Sequence, residues 1–160
     1  QDNAGSAVAR NQGLDIATGS WISFVDADDW IEKDFLQKLI PYMREEYDFV
    51  MYSYDEVKGD VAKRMVAIDK EFVLEEEAFQ LLVKDVIDTE KRVPEVAASR
   101  SQFWTKIYKK EFLEQKNIRL RPELRMSQDV MFNLCVYDVA QKAVFIPESL
   151  YNYRILDDST

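Results

Sequence analysis

The sequence predicts an α/β fold, a parallel, doubly wound sheet with helices laid against it, on three observations. Helical stretches alternate with short apolar runs across short connections. The run 21–25, Trp-Ile-Ser-Phe-Val, is brief and rich in aromatic and β-branched residues, and Gly19 lies just before it, so it reads as a buried central strand. That strand runs directly into Asp26, Asp28 and Asp29. Carboxylates at the carboxyl end of a parallel strand sit where open α/β sheets bind ligands.

The elements follow in order. Asn3-Ala4-Gly5-Ser6 is a loop with Ser6 as N-cap, and the helix after it runs to Ala17 or Thr18. Ala9, Gly13, Ile16 and Ala17 share one face, and three of the four are small, which predicts close packing on the sheet. Gly19 stops that helix. After the acidic turn, 32–46 reads as a second helix with Phe35, Leu36 and Leu39 inward, kinked or shortened by Pro41. A strand is expected at 48–54, and a hairpin or loop containing Gly59 at 56–63. Phe79, Leu82, Val83 and Val86 have i, i+3, i+4, i+7 spacing, so 75–86 is an amphipathic helix. The polar stretch 88–100, with Pro94, is expected to be a mobile lid. A strand at 104–108, a short helix at 110–115 and a helix from Asp129 to about Ala140 follow, the last with Val130, Leu134 and Tyr137 inward. Two short strands, 143–146 and 150–153, close the chain. There is no internal repeat, and 1–160 reads as a single domain.

Composition narrows the function. The 160 residues are 47% hydrophobic and 32% charged, the balance of a globular domain with a real core. The formal net charge of -9 argues against electrostatic binding to nucleic acid. With no histidine, triads, imidazole metal sites and imidazole proton shuttles are excluded. One cysteine, Cys135, permits no internal disulfide. No apolar stretch is long enough to cross a membrane and no signal peptide is visible, which points to the cytoplasm. The chain opens on Gln1 and is in a dense motif almost at once, so the expectation is a start inside a larger protein.

The acidic turn carries the chemistry. Three carboxylates within four positions repel and raise one another's pKa unless a cation neutralises them. With no sulfur or imidazole near, the suitable cation is a hard one, Mg²⁺ or Mn²⁺, of the kind that bridges phosphate oxygens. The plainer alternative is an Asx-type turn that caps the next helix.

Taken together these residues resemble family 2 glycosyltransferases of the GT-A fold. Asn3-x-Gly5, Ala9-Arg10-Asn11-x-Gly13, Ala17-x-Gly19 and Ile22-x-Phe24-x-Asp26-x-Asp28-Asp29 look like the family's central part. Phe103-Trp104-Thr105-Lys106-Ile107-Tyr108 resembles its W-N-K-L-Y stretch. Ser127-Gln128-Asp129-Val130-x-Phe132 resembles E-D-x-x-F, and Tyr151-x-Tyr153-Arg154 with Ser159 resembles Y-x-Y-R…S. The resemblance implies a GT-A sheet without its N-terminal strands and nucleotide-base wall. It also implies inverting transfer of a sugar from a nucleotide diphosphate to a glycan or lipid-linked acceptor hydroxyl, in bacterial surface glycan synthesis. Such acceptors leave room for association with the inner membrane face.

By the same resemblance Asp28 ligates Mn²⁺ or Mg²⁺, Asp26 lies near the ribose or donor sugar, and Asp129 is the general base. Asp129 can also be read as a first-turn acid favoured by the helix dipole. Arg10 and Asn11 line the donor pocket or anchor the helix to a loop. Arg154 clamps the diphosphate or is a solvated charge. Trp104 reads as a core aromatic before a sugar platform, and Lys106 is equally ambiguous. Gln128 departs from the family's glutamate. Two other readings stand beside this one. A haloacid-dehalogenase-type phosphatase also sets D-x-D after an apolar strand, though the threonine expected after its second Asp is missing here. A non-catalytic fragment is the third.

Overall fold

A parallel pair of long strands forms the spine of the protein. In a computed structural model, which describes residues 5–65, 69–87 and 101–156, the first half of the chain forms α1 (Ser6–Ile16), β1 (Trp21–Ser23), β2 (Trp30–Ile31), α2 (Phe35–Leu39), β3 (Phe49–Lys58), β4 (Val61–Arg64) and β5 (Phe72–Leu74). The second half forms α3 (Glu76–Ile87), β6 (Lys106–Lys109), α4 (Lys110–Gln115), α5 (Gln128–Val139) and β7 (Ala143–Arg154). Single 3-10 turns lie at Ile40–Tyr42 and Phe103–Thr105.

The sheet order is β1-β6-β3-β7-β2. β3 and β7 run parallel from Phe49↔Ala143 to Val57↔Arg154, with register shifts around Ser53. β6 and then β4 line the outer side of β3, both antiparallel. β5 and then β2 line the outer side of β7, also antiparallel. The sheet is therefore mixed, and the doubly wound parallel sheet expected from the alternation is corrected: among the described residues only β3 and β7 pair parallel. β1 is likewise not central. It is shorter than 21–25 and, among the described residues, pairs only with β6, at an edge. Because β6 lies antiparallel between them, β1 nevertheless runs in the same direction as β3 and β7. Its carboxyl end thus shares the rim expected of it.

Side-chain alternation sets the two layers. Phe49, Val50, Met51 and Tyr52 are all fully buried, as in a strand covered on both faces. Phe49 meets Phe79 of α3 and Tyr137 of α5, at 5.8 and 5.9 Å between ring centroids. Tyr52, on the opposite face, meets Phe35 of α2 at 5.5 Å. The hairpin around Gly59 forms as expected. Lys58 pairs with Val61, and Gly59 takes the positive φ of 57° that the first position of such a two-residue turn favours.

Several elements differ from expectation. The helix drawn over 32–46 is a five-residue helix followed by the 3-10 turn, which contains Pro41, and Leu36 is exposed. α1 buries Ala7 and Leu14 and leaves Ile16 exposed, so its inner face is rotated from the one drawn through Ala9, Gly13 and Ile16. It ends at Ile16, where Lys110 Nζ donates to Ala17 O at 2.7 Å, and Gly19 lies beyond the stop. α5 turns Phe132, Asn133, Val136 and Tyr137 inward, with Val130 and Leu134 only half-buried. The two closing strands are one continuous β7. The lid expected at 88–100 lies outside the described residues.

Candidate active site

One aromatic cluster brings the acidic turn and the start of α5 together. Phe24, directly after β1, lies 4.9 Å from Phe103 and 5.6 Å from Phe132 between ring centroids, and all three are buried. Asp26 follows Phe24 by two residues. Asp129 precedes Phe132 by one helical turn, on the same side of α5. Both carboxylates, with Arg10, Trp104 and Gln128, line one open cleft of about 240 Å³. A larger depression of about 430 Å³ beside Lys116–Glu123 holds none of the predicted residues.

Each wall is tied down by side chains. Arg10 Nη2 donates to Asp26 Oδ1 at 2.6 Å, and its guanidinium lies 4.7 Å from the centroid of the Phe103 ring. Ser6 Oγ donates to Gln128 Oε1 at 3.1 Å, joining the first turns of α1 and α5. Gln128 Nε2 in turn donates to Leu124 O at 2.8 Å, a bond that a glutamate there could not make. Ser127, just before α5, is in the left-handed region with φ 57°. Asp129 is half-buried in the first turn of α5, where the dipole favours its charge.

The three carboxylates of the turn have three different situations. A main-chain bond from Asp29 N–H to Asp26 O, 3.2 Å, closes the turn, which leads into strand β2 rather than capping a helix. Asp26 is held by Arg10. Asp29 is held by β7: Tyr151 Oη donates to its Oδ2 at 2.7 Å and the Arg154 N–H to its Oδ1 at 2.8 Å. Burial raises the Asp29 pKa, these two bonds lower it, and the charges of Asp28 and Asp26 push it up again. Asp28 is exposed and accepts no hydrogen bond among the described residues.

Other predicted residues divide. Asn11 is half-buried and spends both ends of its amide on Leu120: Nδ2 donates to Leu120 O at 2.8 Å, and Leu120 N–H donates to Oδ1 at 2.9 Å. That geometry is the helix-to-loop anchor, and Asn11 is not on the cleft lining. Arg154 is exposed beside the turn, its guanidinium 5.3 Å from the centroid of the Trp30 ring. Trp104 is buried and stacks on Tyr151 at 4.4 Å and Tyr153 at 5.6 Å, the core role. Lys106 is fully buried and donates to Gln102 O at 2.7 Å. Burial lowers its pKa well below the ordinary value, and the charge of Asp129 works against that shift. The sequence reading assigned no role to Tyr151, nor to Asn133, whose Nδ2 donates to Ser101 O and Asp129 O.

No group of three or more carboxylates or sulfurs that could hold a metal exists among the described residues. Asp26 and Asp29 have other partners, which leaves Asp28 as the carboxylate of the turn without one among the described residues. A single free carboxylate still fits an ion of the Mg²⁺ kind, which is bound through one or two carboxylates and takes further ligands from substrate phosphates.

Comparison with known proteins decides the family. The profile described as glycosyl transferase family 2 matches residues 1–117. The chain belongs to glycosyl transferase family 2. It is 29% identical over 163 residues to the glycosyltransferase GlyA of Streptococcus pneumoniae, covering 97% of this chain and 22% of that protein. It is 23% identical over 170 residues to the succinoglycan biosynthesis protein ExoO of Rhizobium meliloti, covering 98% and 44%. Its fold is similar to that of S. aureus TarS residues 1–349 in complex with UDP-GlcNAc, with a TM-score of 0.73 at 20% identity, covering 98% of this chain and 40% of that one. The fold is thus the GT-A fold of this family, and the chain spans less than half the length of these relatives. Among the described residues no helix is long and apolar enough to cross a membrane.

Proposed function

We propose that this family 2 domain moves a sugar from a nucleotide-diphosphate donor to an acceptor hydroxyl, with inversion, in bacterial surface glycan synthesis. The observation that carries the reading is the shared cleft: Asp129 and the Arg10–Asp26 pair line the same wall-to-wall space. In this reading Asp26, set by Arg10, contacts the ribose or donor sugar. Asp129 takes the proton from the acceptor hydroxyl as its oxygen bonds to the anomeric carbon and the bond to the diphosphate breaks. Arg154, beside the turn, offers its guanidinium to phosphate oxygens. Asp28 would hold Mn²⁺ or Mg²⁺, which when bound neutralises charge on the leaving diphosphate. Asn11 anchors α1 to the loop at Leu120 rather than touching the donor. The acceptor is a glycan or lipid-linked saccharide, which would place the complete protein in the cytoplasm or at the inner face of the membrane.

The glycan context is supported by relatives such as ExoO, and the donor class by TarS, whose structure contains UDP-GlcNAc. Family membership disfavours the phosphatase reading. The deciding experiment uses the complete protein with Mn²⁺. Binding and slow hydrolysis of a UDP-sugar, lost in Asp28→Ala, supports the proposal. Phosphate release from a simple phosphomonoester, or nucleotide binding unchanged by Asp28→Ala, overturns it.

A further inference from the structure

The acidic turn is fastened at both ends to one side chain. Tyr151 of β7 is fully buried. Its hydroxyl donates to Asp29 Oδ2 at 2.7 Å, and the same oxygen accepts the Asp26 N–H at 3.1 Å. The next contact along β7, from the Arg154 N–H to Asp29 Oδ1, adds a third bond. The strand β2 that follows the turn pairs with β7 at the same place, Ile31 opposite Tyr151. Meanwhile Trp104 stacks on the Tyr151 ring at 4.4 Å and fixes where its hydroxyl points.

We infer that Tyr151 is a positioning residue for Asp28: by bridging the first and last residues of the turn, it holds the one unengaged carboxylate ready for a metal–diphosphate. This rests on the proposed function above and names the device that serves it. The physical argument is entropic and electrostatic. A lone carboxylate on a loose turn would have to be ordered when the ligand binds, and that ordering subtracts from affinity. Three like charges would also drive the turn apart. Giving Asp26 to Arg10 and Asp29 to Tyr151 leaves two of them neutralised or hydrogen-bonded, with Asp28 between them. Asp29, which the sequence places level with Asp28 as a ligand, acts as a fastening point instead.

Tyr151→Phe removes the hydroxyl and keeps the ring on Trp104. Tyr153→Phe is the matched control, since Tyr153 stacks on the same tryptophan and its hydroxyl has no partner among the described residues. Two readouts are taken on the complete protein. Amide hydrogen exchange without metal or nucleotide should quicken at 26–30 by about tenfold in Tyr151→Phe and not in Tyr153→Phe. Calorimetric affinity for UDP with Mn²⁺ should fall about tenfold, with metal-free UDP binding unchanged and Tm within about 5 °C of the parent. Exchange at 26–30 that matches the control overturns the inference, as does an affinity loss that is equal with and without Mn²⁺. If the parent itself binds no UDP with Mn²⁺, the proposed function fails, while the exchange result still decides whether Tyr151 fastens the turn.

Discussion

Raising the pH above 10 should unfold this protein through its buried tyrosines. Tyr52, Tyr108 and Tyr151 are each fully buried. Burial pushes all three hydroxyls above their ordinary value, and at Tyr151 the bond to Asp29 pushes further. The unfolded chain loses these protons near pH 10 while the folded chain keeps them. Above pH 10 the unfolded state therefore binds fewer protons, and stability falls as pH rises. Each such tyrosine costs about 1 kcal/mol per pH unit above 10 while its folded form stays protonated, so the three together cost a few kcal/mol at pH 11 and roughly twice that at pH 12. Total stabilities are about 5–15 kcal/mol, so the transition should fall within that interval. Lys106 acts with the opposite sign in a lower window. Its lowered pKa makes stability rise with pH up to its ordinary value of 10.5 and leaves nothing to oppose the tyrosines beyond it. Phenolate absorbance followed beside circular dichroism checks this. The buried hydroxyls should ionise in one cooperative step that coincides with loss of the dichroic signal. Smooth ionisation of all eight tyrosines near pH 10, with the dichroism intact, would refute the reasoning.

Asp129→Asn keeps the shape of the first turn of α5 and removes the proposed base, so sugar transfer by the complete protein should fall about 10²–10⁴-fold with donor binding retained. Normal transfer by this variant would make Asp129 a helix-start acid only. Asn11→Ala strands the N–H and carbonyl of the buried Leu120, which should cost about 2 kcal/mol and lower Tm by about 4–8 °C. Under the anchor geometry its metal-free nucleotide affinity stays unchanged, and a large selective loss of affinity would return Asn11 to the donor pocket. Phe24→Ala opens the aromatic cluster that joins the turn to α5, at a cost of about 3 kcal/mol in chemical denaturation. A loss below about 1 kcal/mol would mean the rings do not hold the two walls together.

Local signals were legible and pairings were not. The short helix at 110–115 and the hairpin at Gly59 are set by neighbouring residues, and both form where the sequence places them. The apolar period of 75–86 likewise finds α3, whose Phe79 and Leu82 are buried. α1 is different: it is made mostly of polar and small residues, so its period says little about which face turns inward, and Ile16 ends up exposed. The direction of the neighbours of β1 depends on β6, some eighty-five positions later, and no local pattern carries it. The same holds inside the site. The row of Asp26, Asp28 and Asp29 reads as one metal cluster because nothing nearby shows that Arg10, Tyr151 and the Arg154 N–H claim two of its members. The motif that resembles Y-x-Y-R drew attention to Tyr151 without giving it a task.

The bond from Tyr151 to Asp29 spans 122 positions of the chain, and synthesis is directional. At about 5–20 residues per second, the ribosome reaches Tyr151 some 6–24 s after it has made the acidic turn. During that interval β2 has no partner, since β7 does not yet exist, and the turn carries its three negative charges on an unfastened loop. The parallel partner of β3 is missing for the same reason. A nascent chain can therefore build α1, the β3–β4 hairpin and their local contacts early, yet it acquires a shaped acidic turn only once β7 is made. The turn is then shaped in one step, when β7 pairs, rather than gradually as the chain lengthens.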